Sequence, residues 1–345
     1  MKTCAAYLKS PWQFELREVS LPDSPPPGWI RLRVQACGIC GTDLSAASQT
    51  ADWRPFGHES AGIIAAVGSG VDDLAVGDCV ALQSSAFCGR CAVCRNGRPD
   101  LCRSSKETFW GQPAMGFSTY FDAPASHAVK YSGMVPEVAA LAEPLGVAFD
   151  MVQTADIRLG QYVCIVGPGP IALGALALAR NRGAARLVCV GHSHSKARLA
   201  LAGRLGAEIM EWDSPLAECE KLKDSFDHVL VTAPAAEIPS VIAWLRYGGI
   251  ITYIGIGTGS GNITIDANEF HFRKLQLRSS FASPAMYLPV VLDLLRAGIL
   301  PGDTLISHRY PLSQIAEAMH TAGNDKANAI KVMVTAGEDY RELDG

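Results

Sequence analysis

The 345-residue chain predicts an α/β protein of two domains, one β-rich and one built on a doubly wound parallel sheet. Three observations carry that prediction. From about Pro144 to Ser280, strand-like apolar runs alternate with helical ones, the pattern of a parallel sheet covered by helices on both faces. The first of those strands, "YVCIVG", enters a Gly-Pro-Gly turn and then the helix-like "PIALGALALA". Before this zone the chain reads as short strands punctuated by "GSG", "GD" and "NGRP".

In order, "WIRLRV", "SAGIIAAV" and "DCVAL" are the β-rich runs of the first zone. The parallel strands expected next are "YVCIVG", "RLVCVG", "HVLVTA" and "IITYIGIG". Between them, "PIALGALALARNRG", "SKARLALAGRLG" and "IPSVIAWLRYGG" are the expected helices. The last segment holds two helical stretches, "MYLPVVLDLLRAG" and "LSQIAEAMHTAG", and the strand "AIKVMVT", which is expected to return to the first zone. The domains so read are 1–150 with 285–345, and 151–284. No internal repeat is visible.

Composition excludes several classes. Hydrophobic residues make up 48% and charged residues 19%, as in ordinary globular proteins. With 30 basic against 34 acidic residues there is no electrostatic footprint for nucleic acid. Lys9 and Pro11 interrupt the N-terminus too early for a signal-peptide core, and no run approaches the roughly 20 apolar residues of a membrane span. A cytoplasmic protein with a small-molecule substrate is expected. Thiols stay reduced there, so clustered cysteines read as metal ligands.

The glycine turn reads as a Rossmann dinucleotide site. Gly167 permits the tight turn, Gly169 lets the backbone approach a pyrophosphate, and the helix start at Pro170 and Ile171 faces that anion. Ala172 replaces the third glycine of the fingerprint and is still small. An NAD site usually places an acid at the end of the second strand, about 20 residues on. No carboxylate occurs from Ile157 to Ala207. Ser193 stands near the acid's place, with His192, Lys196 and Arg198 at hand for a 2′-phosphate. NADP is therefore favoured over NAD.

Two metal sites are expected. Cys88, Cys91, Cys94 and Cys102, within the lobe 86–103, have the spacing C-x2-C-x2-C-x7-C. Four thiolates close a tetrahedron around zinc and leave no position for substrate, so this ion is structural. A four-cysteine iron–sulfur cluster is the competing reading. An open site needs separated ligands: Cys40 in "CGICGTDL", His58 and Glu59 in "FGHESAG", and Glu143 in "LAEPLGV". Cys37 also forms a C-x2-C with Cys40 but reads better as a buried strand thiol.

Taken together, "GICGTD", "GHESAGIIAAVGSGVDDLAVGDCV", the four cysteines, "GPGPIAL" and "EPLGVA" resemble the zinc-dependent medium-chain dehydrogenases, in particular the sorbitol and polyol branch. The resemblance runs nearly end to end. It implies a GroES-like catalytic domain, a zinc- and nicotinamide-dependent polyol, sugar or cyclitol dehydrogenase, and a homodimer or homotetramer, with "IITYIGIG" and "GNITID" extending a sheet between subunits. It implies Cys40 and His58 as zinc ligands, with Glu59 and Glu143 competing for the third place. Thr42 falls where the family relays the substrate proton, and Asp43 where a carboxylate orients the zinc-binding imidazole. "TAP" with Ala233, "IGIG" with Ile254 and Gly255, and "SSF" with Ser280 resemble the strand ends lining the nicotinamide. Phe109 and Trp110 are candidates for the pocket wall. Thr119 and Asp150 depart from the branch at positions expected near the pocket. A threonine or sugar-acid dehydrogenase on the same scaffold, or a non-catalytic zinc-stabilised nucleotide-binding protein, are the alternatives.

Overall fold

A computed structural model describes residues 1–105, 108–255 and 261–336. One sheet has six parallel strands in the order Glu208–Glu211, Arg186–Gly191, Tyr162–Val166, Phe226–Val231, Leu245–Ile254, Gln276–Ser280. Numbered along the chain this is 3-2-1-4-5-6, two mononucleotide-binding halves diverging from a switch point between Tyr162–Val166 and Phe226–Val231. The strand Tyr162–Val166 reads as continuously apolar because both of its faces are covered. Val163 and Ile165 enter one core, Cys164 and Val166 the other.

Helices Pro170–Asn181 and Lys196–Arg204 fill the first two crossovers as expected. The third expected helix does not form. "IPSVIAWLRYGG" becomes a 3₁₀ segment, Pro239–Trp244, that runs directly into the strand Leu245–Ile254. Val241, Ile242 and Trp244 bury against the sheet, and Leu245 already pairs with Phe226, so the backbone must extend where a helix would continue.

The second large sheet has seven strands. Ile306–Pro311, Lys331–Thr335, Trp29–Gly38, Glu59–Val67, Cys79–Leu82 and Ala128–Lys130 lie in that order, and Tyr120–Pro124 pairs with Trp29–Gly38. The closing strand lies antiparallel to Trp29–Gly38, with Met333 opposite Gly38. Arg31 and Asp122, directly opposite across the Trp29–Gly38 and Tyr120–Pro124 pair, form a buried bidentate bridge at 2.8 and 3.0 Å. A small sheet of Gln13–Ser20, Lys2–Lys9 and Arg54–Pro55 completes the strands. Residues 261–266, "GNITID", form no strand of their own, and Ile256 and Gly257 of "IGIG" lie outside the described residues. Among described residues no helix is long and apolar enough to cross a membrane.

His228, on the strand Phe226–Val231, is a buried titratable group in the parallel sheet. Gln161 Oε1 lies 2.8 Å from its Nε2 and also accepts from Arg158 N at 2.7 Å, so Nε2 is the donor. Burial, opposed in part by Asp227, pushes its pKa down to about 4. The unfolded chain therefore binds a proton first. Stability from this residue is complete above about pH 6.5 and is lost as pH falls toward 4, by about 3 kcal/mol. His228→Gln is expected to flatten that portion of the stability profile, measured by urea unfolding at pH 7, 6, 5 and 4.5.

Candidate active site and metal centres

The tight cluster forms where two paired strands end. Cys40 follows the strand Trp29–Gly38 and caps the helix Gly41–Gln49. Glu59 opens the strand Glu59–Val67 directly opposite Gly38, with His58 just before it. One ligand atom from each of Cys40, His58 and Glu59 lies within 4.8 Å of the others. Glu143, in the first turn of helix Ala142–Ala155, lines the same cavity and binds the Ser84 side chain, but falls outside that three-residue set.

Lys331, from the closing strand, completes the cluster. Its Nζ pairs with Glu59 Oε2 and donates to Ile39 O at 2.9 Å, with both side chains almost fully buried. Gly38 makes room for the pair, because a Cβ there would overlap both Glu59 Oε2 and Lys331 Cε. Asp43 accepts from Cys40 N at 2.9 Å and approaches His58 Nδ1 only to 3.9 Å. That distance is outside hydrogen-bond range, so Asp43 fixes the Cys40 turn rather than holding the imidazole.

The charges at this point do not balance. Burial disfavours a charged His58, yet the Cys40 thiolate and the Asp43 and Glu143 carboxylates outweigh it and hold the imidazole well above its usual pKa. Burial also pushes Asp43 and Glu143 up. His58 Nδ1 is buried with no hydrogen-bond partner among the described residues. Thiolate, imidazole and carboxylate together are the donor set of an open zinc site, and this excess of buried negative charge fits a divalent cation.

The second cluster lies in the loop that the sequence singled out. Cys88, Cys91, Cys94 and Cys102 present sulfurs all within 4.8 Å of one another, and none is in a disulfide. Cys91 Sγ lies 3.4 Å from Cys94 Sγ and 3.9 Å from Cys102 Sγ. Zn–S bonds of about 2.3 Å arranged tetrahedrally set sulfurs about 3.8 Å apart, so the four fit zinc. The backbone N–H groups of Cys88 and Ser104 pull the Cys102 thiol down to about 6.

A cavity of about 920 Å³ joins the open cluster to the parallel sheet. Cys40, Thr42, Asp43, His58, Glu59 and Glu143 line one end. Pro170, Ile171, Arg198, Ile254, Gly255 and Ser280 line the other. Gly167 sits at φ +91°, and a Cβ there would press on Thr232 Oγ1 and Ala233 N at 3.1 Å. Gly169 caps the helix Pro170–Asn181 and has open space where its Cβ would stand, which suits a phosphate group. Trp110 lines the cavity, its ring 5.3 Å from that of His58. Phe109 does not. It is fully buried and packs on Phe121 and His127, because the strand pairs around it close over its side chain. Thr119 and Asp150 are also absent from the lining. Asp150 accepts from Ser280 Oγ at 2.6 Å, one residue behind the wall.

Sequence reasoning missed several residues here. Lys331 carries no motif and is placed only by strand pairing, and Ser84, Ser85, Arg54 and Met115 enter the lining without any motif either. Asp213 is the other. Its Oδ1 accepts from Ser193 N at 3.0 Å and lies 3.3 Å from His192 Nδ1. Arg198 lines the cavity, and its Nε donates to Ala329 O at 2.7 Å.

An open thiolate–imidazole–carboxylate cluster facing a 3-2-1-4-5-6 sheet defines a metal-assisted dehydrogenase. Comparison with known proteins agrees. Residues 26–136 match the model of the alcohol dehydrogenase GroES-like domain, and residues 170–297 that of the zinc-binding dehydrogenase. The chain is 32% identical to sorbitol dehydrogenase of Arabidopsis thaliana, covering 95% of this chain and 94% of that one. It is 31% identical to L-idonate 5-dehydrogenase of Vitis vinifera, covering 95% and 93%. A zinc-binding dehydrogenase of Sinorhizobium meliloti 1021, solved bound to NADP, superposes with a TM-score of 0.83 at 27% identity over 97% of this chain and 99% of that one. The chain belongs to the zinc-dependent medium-chain dehydrogenase family. It is an oxidoreductase that works with zinc, a nicotinamide cofactor and a small-molecule substrate.

Lys331→Met leaves the Glu59 carboxylate buried beside no cation. Loss of one partner of a buried pair costs about 3–5 kcal/mol. A drop of that size is expected in urea unfolding of chelator-treated protein, and an unchanged midpoint would show that the pair contributes nothing.

Proposed function

We propose that this protein oxidises a secondary alcohol of a polyol, sugar, cyclitol or sugar acid, and runs the reverse reduction. The observation that carries this reading is the Cys40–His58–Glu59 cluster at one end of a cavity whose other end is the start of the dinucleotide helix. Cys40, His58 and Glu59 would hold the catalytic zinc, with Glu143 poised beside them through Ser84. When bound, zinc supplies a Lewis acid that lowers the pKa of a coordinated hydroxyl, and the nicotinamide supplies the hydride acceptor. Thr42 lines the cavity beside Cys40, so its hydroxyl carries the substrate proton outward. Trp110 covers His58 and keeps water from that face. Ile254, Gly255 and Ser280 form the opposite wall, with Ser280 held by Asp150.

The finer parts of the reading follow from the same residues. The four-cysteine lobe would hold a second, structural zinc, giving two per chain. Its segment contains only a four-residue helix and a short 3₁₀ turn, with Phe87 and Leu101 exposed, so it needs the ion to stay ordered. Residues 1–150 with 285–345 are read as the catalytic unit and 151–284 as the dinucleotide unit. Sheet extension between copies around residues 261–266 would give a homodimer or homotetramer. A cytoplasmic site suits eleven free thiols, on the ground that clustered cysteines persist unpaired in a reducing compartment.

Cofactor choice turns on Asp213. The expectation of NADP rests on a window, Ile157 to Ala207, that holds no acid. Asp213 lies outside it, yet occupies the Ser193 amide and faces His192, while Arg198 is engaged elsewhere. A carboxylate at that place repels a 2′-phosphate and can accept from a ribose hydroxyl. NAD therefore replaces NADP in this reading. Asp213→Ser is expected to shift the NADP-to-NAD ratio of kcat/KM upward by about tenfold, roughly 1.4 kcal/mol. A preference for NADP in the unaltered protein would reverse the assignment.

The enzymatic reading is tested by metal analysis and turnover together. Two zincs per chain are expected, falling to one in Cys40→Ser with loss of all alcohol oxidation. One zinc in the unaltered chain, with no turnover of any polyol, sugar acid, cyclitol or threonine, would leave the non-catalytic alternative standing.

A further inference from the structure

Beside Trp110 lies a second, partly open space of about 340 Å³ that shares Ser84, Ser85, Trp110, Phe281 and Ser283 with the lining of the main cavity. The separation from the reacting centre is a single side chain. The Trp110 ring lies 5.3 Å from that of His58, and Ser84, which binds Glu143, lines both spaces.

The chamber's one charged lining residue among those described is Arg103. It is an exposed side chain anchored by two backbone carbonyls, and the Asp100 carboxylate is close enough to feel its charge. Its Nη1 donates to Cys102 O at 2.8 Å and to Ser283 O at 3.1 Å, and the guanidinium stands 5.9 Å from the Phe281 ring centroid. Its Nε and Nη2 have no partner among the described residues. Those two atoms form the edge that binds a carboxylate bidentately, as Arg31 does with Asp122 in this same chain. The acids lining the main cavity, Asp43, Glu59 and Glu143, all stand at the metal cluster, while the lining beyond it is charged by Arg54, Arg198 and Lys326.

We infer that the chamber receives the carboxylate of a hydroxy-acid substrate, with Arg103 as its receptor, so that the substrate is a sugar-acid anion rather than a neutral polyol. This rests on the reading of the main site as an alcohol dehydrogenase site, and narrows it. The hydroxyls of Ser84, Ser85 and Ser283 would complete the polar shell around the acid end, leaving the carbinol carbon toward His58.

The test compares gluconate with glucitol, idonate with iditol, and galactonate with galactitol, each pair differing only in carboxylate against CH2OH. The unaltered protein, Arg103→Gln, Arg103→Lys and Arg54→Gln are used at equal zinc content. At least one sugar acid is expected to exceed its alditol in kcat/KM. Arg103→Gln should lower that ratio by about 10–100-fold, mostly through KM, the loss expected for a charged hydrogen bond. Arg103→Lys should restore part of it. An alditol preferred in every pair, a ratio unmoved by Arg103→Gln, or a larger loss in Arg54→Gln would overturn the assignment. If no alcohol is turned over, the dehydrogenase reading fails, and calorimetric binding of the same sugar acids to the cofactor-loaded protein still decides the chamber. Binding weakened by Arg103→Gln supports it, and binding absent or indifferent to Arg103 defeats it.

Discussion

The ammonium of Lys331, buried between the Glu59 carboxylate and the Ile39 carbonyl, is the contact on which the site depends. An unpaired charge in that position would cost several kcal/mol, so each partner exists only in the presence of the other. Lys331 belongs to the closing strand and Glu59 to the first large segment, hence the pair ties the chain's return to its metal cluster. Gly38 is the steric condition for it, and the register that sets Met333 opposite Gly38 brings the lysine into reach. Cys40 is two residues further on, at the start of a helix whose first turn is locked by Asp43.

From that point the architecture divides the work. The mixed sheet places the candidate metal ligands at or just beyond the ends of two strands, beside Gly38, whose backbone has strand neighbours on both sides. The parallel sheet offers its carboxyl edge, where the switch between its two halves opens a crevice for the dinucleotide. The cavity between them has an acidic, metal-binding end and a basic remainder. Hydride transfer needs the reacting carbon held between those two ends and shielded from water, and Trp110 and the Ile254–Ser280 wall supply the enclosure.

The four-cysteine lobe contributes indirectly. It has almost no apolar core, and its order rests on closely placed thiols. Its last cysteine is followed by Arg103, which reaches to Ser283 and Phe281. The lobe thus contributes Cys102 and Arg103 to the wall of the space beside Trp110.

How much of this was legible beforehand differs by kind of feature. Patterns local in sequence were readable: the βα alternation, the glycine turn at Gly167, the cysteine spacing, and Cys40, His58 and Glu59 as candidate ligands. Each follows from backbone conformation or ligand chemistry that acts within a few residues. The helix expected over "IPSVIAWLRYGG" failed because pairing of Leu245 with Phe226 outweighs local helical pattern. Phe109 and Trp110, adjacent in sequence, part company because one faces the core and the other the cavity. Asp43 reaches Cys40 rather than His58, a difference of an ångström that no spacing rule resolves. By itself, then, the sequence determined the chemical inventory and the class of fold. Tertiary structure alone decided which polar groups meet, placing Lys331 on Glu59, Asp213 on the Ser193 amide and Arg103 on the Ser283 carbonyl. Those encounters depend on strand register and crossover packing, which bring together residues far apart in the chain that share no motif.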